Sequence, residues 1–595
     1  MKCQRRGLRR ALTAILATAA ALLTFAAPAH ASTPTPATLY SLPSGSSCTK
    51  SVTFCVLYPK AAVLNDGTMI AGFEKSTVQS SGSAAGQTIP IYKSTDNGTT
   101  WSYVTGVPAP AYATSNSAYA QYTSNWTNPY FYVLPSAVGS LAAGTLMMAS
   151  VVSGDDYNYL DNKATNSSYQ PTHDGDRSNT AIALYASTND GSSWTFENII
   201  ATGSWSNGYN YPATEDTYKQ NDPVWEPYLM VYNGQLVCYY SDENDYTGYN
   251  SSTGVLSLYS ANATAADTDG QVLAHRTWDG SSSAAWSSPV VDVTGTTVTN
   301  SVGVSEVGGG RPGMANVVET SDGEWMMTFE YWGGGANVRY KLSSNPLDFY
   351  DVGGTAGTAI TSLSVTSGSA AMPTGGSPVL LKLPNGRILF NDAGSGAVWT
   401  NQSGSSTGAW TEQQTTMPSA YSRSLTYVPA TGRVEIIGGV TTIQHADIDF
   451  GNSVGAYYRL VNVGSGKNLG VYGASLLDGT DVVQWTNNGS TDQYWHVTSL
   501  GNGYDAILDE NSGRALGIWQ ASTGSGADAV QWVQNASYDQ QWQLVAVGSD
   551  YELLNRNSGL ALTVSGGSTS DGAQIVQQAY TGASSQLFEL VQVSS

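Results

Sequence analysis

Cysteine, histidine and basic residues are scarce in this sequence, and each shortage removes a class of chemistry. The five His (His30, His173, His275, His445, His496) lie far apart, and no two of the four Cys have zinc-ligand spacing. Metal catalysis and a Ser-His-Asp triad therefore lack their residues, and no metal or cofactor is expected. Cys48 and Cys55 are close enough to staple a loop as a disulfide, Cys238 sits in an apolar strand as a buried free thiol, and Cys3 falls in the N-terminal segment. Charged residues are only 12% of the chain, with 24 basic against 45 acidic. That balance disfavours phosphate polyanions, so nucleic acid is not an expected partner. Long apolar runs are also missing beyond the N-terminal segment, so no membrane partner is expected.

The N-terminal segment has its own pattern. Arg5, Arg6, Arg9 and Arg10 precede an apolar run over 11–27, and Ala29-His30-Ala31 fits a small-residue cleavage site. Residues 1–31 read as a signal peptide, which predicts a secreted, extracellular chain starting at Ser32, exported by the Sec or the twin-arginine route. Removing Lys2 and those four Arg from the 24 basic residues leaves 19, a net charge of about −26. Such a surface suits a soluble monomer.

No helical period appears after the signal segment. Short β-rich runs broken by Gly, Asn and Asp turns predict an all-β chain with two sets of repeats. The first set, over 37–450, holds six strand–turn–strand segments: 61–74, 130–152, 228–241, 316–330, 379–391 and 425–438. Their turns include Asn65-Asp66-Gly67, Asn233-Gly234, Asp322-Gly323 and Asn385-Gly386, which supply the positive φ of tight hairpins. Six similar hairpins over some 400 residues predict a six-bladed β-propeller. Ser94-Thr95-Asp96-Asn97-Gly98-Thr99-Thr100-Trp101 matches the Asp-box S-x-D-x-G-x-x-W, and 187–194 matches it with Asn189 in the Asp position. The second set, over 457–595, has three units starting at Tyr458, Tyr504 and Tyr551. They end in Gln493-Tyr494-Trp495, Gln540-Gln541-Trp542 and Gln586-Leu587-Phe588.

Hairpin topology narrows the search for chemistry. The start of a hairpin's first strand and the end of its second lie at one end of the pair, so in a propeller these ends gather on one face. Lys60, Glu74, Asp222, Trp225, Glu226, Asp242, Glu243, Arg311, Glu330, Asp392 and Arg423 occupy such positions. Two carboxylates stand out. Glu226 precedes the third hairpin in Asp222-Pro223-Val224-Trp225-Glu226-Pro227-Tyr228, and Glu330 ends the fourth in Thr328-Phe329-Glu330-Tyr331. Adjacent blades would present two Glu across one pocket, the pair that glycoside hydrolysis needs. The residues alone equally allow each to be a solvated charge at a strand end.

Trp-Glu-Pro-Tyr at 225–228, the run 233–243, Arg-Pro-Gly-Met at 311–314, Thr-Phe-Glu-Tyr at 328–331 and Ala-Tyr-Ser-Arg-Ser-Leu at 420–425 occur in the order of a known family. In these motifs the chain resembles the exo-arabinanases of glycoside hydrolase family 93, which are sialidase-like glycosidases. The resemblance implies a six-bladed propeller that cuts linear α-1,5-L-arabinan from its non-reducing end and releases arabinobiose with retention. Glu226 is then the nucleophile and Glu330 the acid/base, at the ~5–5.5 Å separation of retaining enzymes. Trp225, Tyr240, Arg311, Tyr331 and Arg423 are the expected substrate-binding residues; core packing for the aromatics and loop anchoring for the Arg are the competing readings. The expected partner is plant cell-wall polysaccharide, arabinan or the arabinan side chains of pectin. Lys60 departs from the family, which is expected to hold Arg there, and the segment 302–310 is an addition that would change the subsites.

The second repeat set resembles the ricin-B-like β-trefoil, a carbohydrate-binding module. Where that family places an early Asp, this chain has Gly470, Gly517 and Thr563. Trp485 and Trp532 remain as sugar platforms with Asp492 and Asp539 beside them, while the third unit has Gln578. A trefoil that only stabilises or spaces is the alternative. For the whole chain, a sialidase and a non-catalytic propeller lectin stay open. A sialidase needs an Arg cluster and a Tyr nucleophile, and the propeller region holds Arg177, Arg276, Arg311, Arg339, Arg387, Arg423 and Arg433.

Overall fold

The computed structural model describes residues 36–593 apart from 47, 49–54, 78–86, 155–178, 204–222, 261–269, 282–284, 300–302, 449, 451–456, 500–503, 533, 535–536 and 549. The signal segment, Asp222, Arg177 and parts of 302–310 and of the short linker around 447–455 lie outside the described residues. Among the described residues no helix is long and apolar enough to cross a membrane.

Six sheets form in chain order, each opening with one of the six hairpins. The first blade pairs Val56–Val63, Met69–Lys75, Ile89–Ser94 and Ser102–Val107; the second pairs Ser124–Val133, Leu146–Ser153, Ala181–Ser187 and Thr195–Thr202. The third runs Val224–Tyr232, Gln235–Asp242, Val272–Trp278 and Val290–Val293, and the fourth Gly313–Glu319, Trp325–Glu330, Val338–Ser343 and Thr358–Ala359. The fifth is built on Val379–Lys382, Ile388–Asn391, Val398–Asn401 and Trp410–Gln413, with the earlier strand Val365–Ser367 added in parallel at its outer edge. The sixth comprises Ser424–Val428, Arg433–Gly438 and Thr442–Ile448, with the N-terminal strand Ala37–Ser41 as its outermost member. Pairing the first strand of the region with the last blade closes the ring.

One local irregularity recurs in every blade. Tyr58, Asn128, Glu226, Met314, Ser377 and Ser422 all have left-handed φ, between 47° and 59°. In the first four blades the register of the opening hairpin shifts at this residue, as a β-bulge. In the last two the residue lies just before the first strand. Residues in or just before all six first strands line one central cavity, so these left-handed positions face the propeller axis. Left-handed φ is costly for residues other than Gly, Asn and Asp, and its recurrence shows that the ring geometry imposes it.

Two surface turns show how local sequence sets blade connections. The Ser94 hydroxyl bonds the Asp96 carboxylate at 2.7 Å and accepts from Gly98 N–H, while Asp96 accepts from Thr100 N–H at 2.9 Å. Asn189 repeats the scheme through its amide oxygen, accepting from Ser193 N–H at 2.9 Å. Cys48 and Cys55 are joined, with their Cα atoms 5.5 Å apart, and Cys238 is a buried free thiol.

Residues from Tyr457 to Gln592 form a twelve-stranded sheet system around a separate apolar core. The three repeat endings place Trp495, Trp542 and Phe588 in that core, all fully buried. Trp495 and Trp542 each donate their indole N–H to a carbonyl of their own unit, Leu469 and Leu516. A second set of residues interlocks the units. Gln484 donates to the Ser568 and Ser570 carbonyls, Gln531 to those of Ser475 and Leu477, and Gln577 to those of Ser522 and Gly524. Each unit thus clamps a loop of another, and the three close a cycle. This is the threefold arrangement of a β-trefoil.

Candidate active site

The bulge carries Glu226 into the central site. Its Oε2 accepts from the Ser241 hydroxyl at 2.8 Å, on the paired strand of its own blade, and from the Met314 amide at 3.0 Å, on the next blade. Glu330 ends the second strand of the fourth blade and is buried. Its Oε2 accepts from the Ser377 amide of the fifth blade at 2.8 Å. The two bonds are equivalent: in both, the amide of a left-handed bulge residue caps a carboxylate of the preceding blade. The Tyr421 hydroxyl lies 3.3 Å from both Glu330 oxygens and 3.5 Å from Met314 Sδ. Met314 and Tyr421 therefore connect the two carboxylates.

Electrostatics couples the pair. Burial and the neighbouring Glu330 charge push Glu226 up to about 8, against the hydrogen bonds from Ser241 and Met314 and the charge of Arg311. Burial also raises Glu330, opposed by Ser377, Trp332, Tyr421 and Arg311. Two carboxyls in one buried site titrate as a unit, and between their two steps they hold one proton.

Arg311 is held in place beside them. It grips Glu243 through both terminal nitrogens, at 3.0 and 2.6 Å, and reaches Gln271 Oε1 at 3.1 Å. Glu243 also accepts the Trp225 indole N–H at 2.7 Å. A bidentate ion pair of this kind fixes a guanidinium's direction. Trp225 is half-buried, edge-on to Trp126.

Three expected substrate contacts need correction. Tyr240 is fully buried, its hydroxyl accepting from Arg276 Nε at 3.0 Å, so it presents no face to a sugar. Tyr331 is 2% exposed, covered by the Arg339 guanidinium 4.4 Å from its ring centre. The exposed aromatic falls one residue later, at Trp332, 48% exposed and close to Glu330, both lying 3.1 Å from where a Cβ on Gly376 would sit. Arg423 is 1% exposed and bonds the Pro418 and Gly396 carbonyls, with Asp392 as its charge partner. It anchors a loop rather than meeting a ligand. Asp242, Asp392 and Glu74 are likewise engaged within the fold, by Asn244 and Tyr246, by Gly375 and Gly394, and by Ser76 and Thr127. Sequence reasoning missed Ser241, Ser377, Tyr421 and Trp332. Tyr421 lay within the quoted 420–425 motif, beside the Arg423 chosen instead.

The trefoil carries a second candidate site. A cavity of about 400 Å³ is lined by Tyr472, Trp485, Asn488, Asp492 and neighbours. Trp485 is 39% exposed. In the second unit the exposed Trp532 and Trp519 rings lie 6.0 Å apart. The Gly residues at the early positions leave room for the late carboxylates: a Cβ on Gly470 would come within 3.4 Å of Asp492 Oδ2, and one on Gly517 within 3.2 Å of Asp539 Oδ2. Thr563 in the third unit instead receives the Gln586 amide at 3.2 Å.

The fold and site define an all-β, two-part chain: a propeller holding an interacting carboxyl pair, then a trefoil with exposed aromatics. Residues 443–532 and 538–595 match the ricin-type β-trefoil lectin domain-like family. The chain is similar to the α-L-arabinanase of Penicillium chrysogenum, solved with arabinobiose, at 26% identity over 71% of this chain and 99% of that one (TM-score 0.49). It is similar to a family 93 α-L-arabinofuranosidase of Fusarium graminearum, also with arabinobiose, at 23% identity over 70% and 99% (TM-score 0.48). A designed threefold-symmetric protein, ThreeFoil, is 42% identical over 23% of this chain and 99% of its own (TM-score 0.23). No curated protein matches the chain.

Proposed function

We propose that this chain is a secreted glycoside hydrolase that removes arabinobiose from the non-reducing end of linear α-1,5-L-arabinan with retention, its trefoil holding it on the polysaccharide. One observation carries the reading: the partly buried Glu226 and the buried Glu330, on adjacent blades, form an interacting carboxyl pair, with Glu226 in the wall of the central cavity. Substrate and bond come from the motif resemblance, secretion from the N-terminal segment, and the trefoil's role from its lectin-like match and exposed Trp485 and Trp532.

The chemistry follows from the pair. Protonated Glu330 gives its proton to the departing glycosidic oxygen while the Glu226 carboxylate bonds to the anomeric carbon. Glu330, now a carboxylate, takes a proton from water, whose oxygen displaces Glu226 and restores the starting configuration. Arg311 faces both groups and offsets their charge. Trp332, exposed beside Glu330, is a surface on which a sugar face can stack.

The sialidase reading loses ground on the arginines. Among the described residues Arg276, Arg339, Arg387, Arg423 and Arg433 are tied to Tyr240, to Tyr331 and Gly334, to Phe450, to Pro418 and to Asp447. Arg311 is committed to Glu243. Among the described residues no three Arg are left to meet a substrate carboxylate together. The deciding experiment is digestion of debranched arabinan with the products sized and the first-formed anomer followed by NMR. Arabinobiose in the retained configuration supports the proposal; no hydrolysis, or the inverted anomer, removes it.

A further inference from the structure

The central cavity beneath Glu226 holds about 30 Å³, roughly the volume share of one water molecule. Its lining comes from all six blades and is mostly Tyr, Asn, Pro and Met, with only two charged side chains, Glu226 and Lys60. Lys60 stands two residues past the left-handed Tyr58 of the first blade. The corresponding positions in the other blades hold Tyr130, Tyr228, Asn316, Val379 and Ser424. An ammonium occurs in one blade of six, where neutral residues serve the same packing elsewhere.

The placement is unfavourable for Lys60 taken alone. Its Nζ donates to the Arg423 carbonyl at 2.7 Å, which fixes its direction without neutralising it. Among the described residues no carboxylate comes within ion-pair distance of it. Burial pushes Lys60 down to about 8, and the charge that opposes this is Glu226. A partly buried ammonium with no ion-pair partner, set in the wall of a small cavity, is costly, so the arrangement points to a use beyond packing.

We propose that Lys60 is a positioning residue for the reaction: its charge, in the wall of the cavity that Glu226 shares, favours the ionised form of Glu226 over that of Glu330. The proposal rests on the glycosidase reading above. The groups facing Glu226 are Ser241 on its own blade, the Met314 amide and Arg311 ahead of the fourth blade, Glu330, Tyr421 and Lys60. In the empty site burial and the Glu330 charge push Glu226 up to about 8, against the two hydrogen bonds and Arg311, and the charge of Lys60 works against that rise. Arg311, however, lowers both carboxyls and so does not choose between them. Lys60 shares a cavity wall with Glu226 alone, and across a small apolar-walled gap a charge acts far more strongly than in water. The two carboxyls need opposite protonation states, and Lys60 biases the pair toward an ionised Glu226.

The test is the pH profile of kcat/KM on debranched arabinan for wild type, Lys60→Met and Lys60→Arg. Loss of the charge lowers the plateau about tenfold and moves the acidic limb up by about one pH unit, through kcat more than KM. Lys60→Arg keeps the limb near that of wild type. A Lys60→Met profile that overlays wild type overturns the proposal, as does a Lys60→Arg limb displaced as far as that of Met, which would assign the effect to shape. If Lys60→Met does not fold, Lys60→Gln, which retains a donor for the Arg423 carbonyl, carries the same expectation. Wild type that fails to cut arabinan would instead remove the glycosidase reading. The Glu226 titration, followed by infrared difference against Glu226→Gln, still decides Lys60 in that case: Lys60→Met must raise it, and an unchanged titration overturns the inference.

Discussion

In the propeller all six blades share one left-handed residue in or just before the first strand, and only the third carries a carboxylate there; in the trefoil three units share one Gln clamp, and two of the three keep an exposed Trp at the same position. The propeller uses a symmetric backbone to aim different side chains at one centre, so its chemistry is singular. The trefoil repeats one surface feature, so its binding is plural and each copy is partly redundant. A change at the propeller centre should therefore act almost all or none, and a change in the trefoil by increments.

The largest effect belongs to the carboxyl pair. Glu226→Gln and Glu330→Gln should each lower kcat on arabinan by roughly 10³-fold or more, with folding intact by circular dichroism. Asn128→Ala, at the equivalent bulge of the second blade, should stay within a few-fold of wild type. Comparable losses at Asn128 and Glu226 would mean that the ring geometry, not the carboxylate, is what matters. Next comes the Arg311–Glu243 pair. Arg311→Met leaves a buried carboxylate without its partner and removes the charge that faces both Glu226 and Glu330, so kcat/KM should fall about 10- to 100-fold and thermal stability should drop. A kcat/KM unchanged in Arg311→Met would reduce the pair to a surface brace.

The trefoil effects are smaller. Trp485→Ala and Trp532→Ala should each weaken retention on insoluble arabinan by about tenfold or less, and the double variant should lose it, while turnover of soluble oligosaccharide stays the same. Gln578→Ala should change nothing. A single Trp substitution that abolishes retention would show one working site rather than two.

Five of the six hairpins were legible because Asn-Gly, Asp-Gly and Thr-Gly turns announce themselves locally; the second, 130–152, turns through Gly139–Gly144 and carries no such signal. The bulges were not, because Tyr58, Asn128, Glu226, Met314, Ser377 and Ser422 share no residue type and their φ is set by the ring. A faint signal existed: Pro follows four of the six, at Pro59, Pro129, Pro227 and Pro378. Glu226 and Glu330 could be chosen from hairpin ends, but the amides that cap them come from other blades and leave no trace in local spacing. Tyr240 was misjudged for a physical reason. Its strand, Gln235–Asp242, is buried at every residue from Leu236 onward, since it lies between neighbouring blades and both faces are covered. Period-two alternation tells one face from the other and says nothing of exposure there. In the trefoil, Trp485 and Trp532 were legible from the repeats, whereas Trp519 and Tyr472, which lie beside them, follow the loops.

Protonation offers a prediction that spans both regions. Burial, aided by neighbouring carboxylates, raises Glu226 to about 8 and Asp245 to about 7 in the propeller; burial raises Asp392 there to about 6. In the trefoil burial raises Asp505 to about 6 and Asp509 to about 7. A group raised in the folded state binds its proton more tightly there than in the unfolded chain. Its contribution to stability is complete below its ordinary value, 3.8 for Asp and 4.5 for Glu, and fades as pH rises through the folded value. Asp66 and Asp96, held low by hydrogen bonds, act oppositely, but their contribution is lost only below 3.8. Lys60 and Lys341, lowered by burial to about 8, disfavour folding below that pH and recover only above it. Between pH 5 and 8 the five raised carboxyls therefore all act in one direction, and the unfolding midpoint should fall steadily across that range. Glu226→Gln and Asp509→Asn should each flatten the slope, the first from the propeller's centre and the second from the trefoil's wall. A midpoint that is level or rises from pH 5 to 8 would mean that these groups are solvated in the native protein, and the shared proton on which the proposed catalysis depends would lose its physical basis.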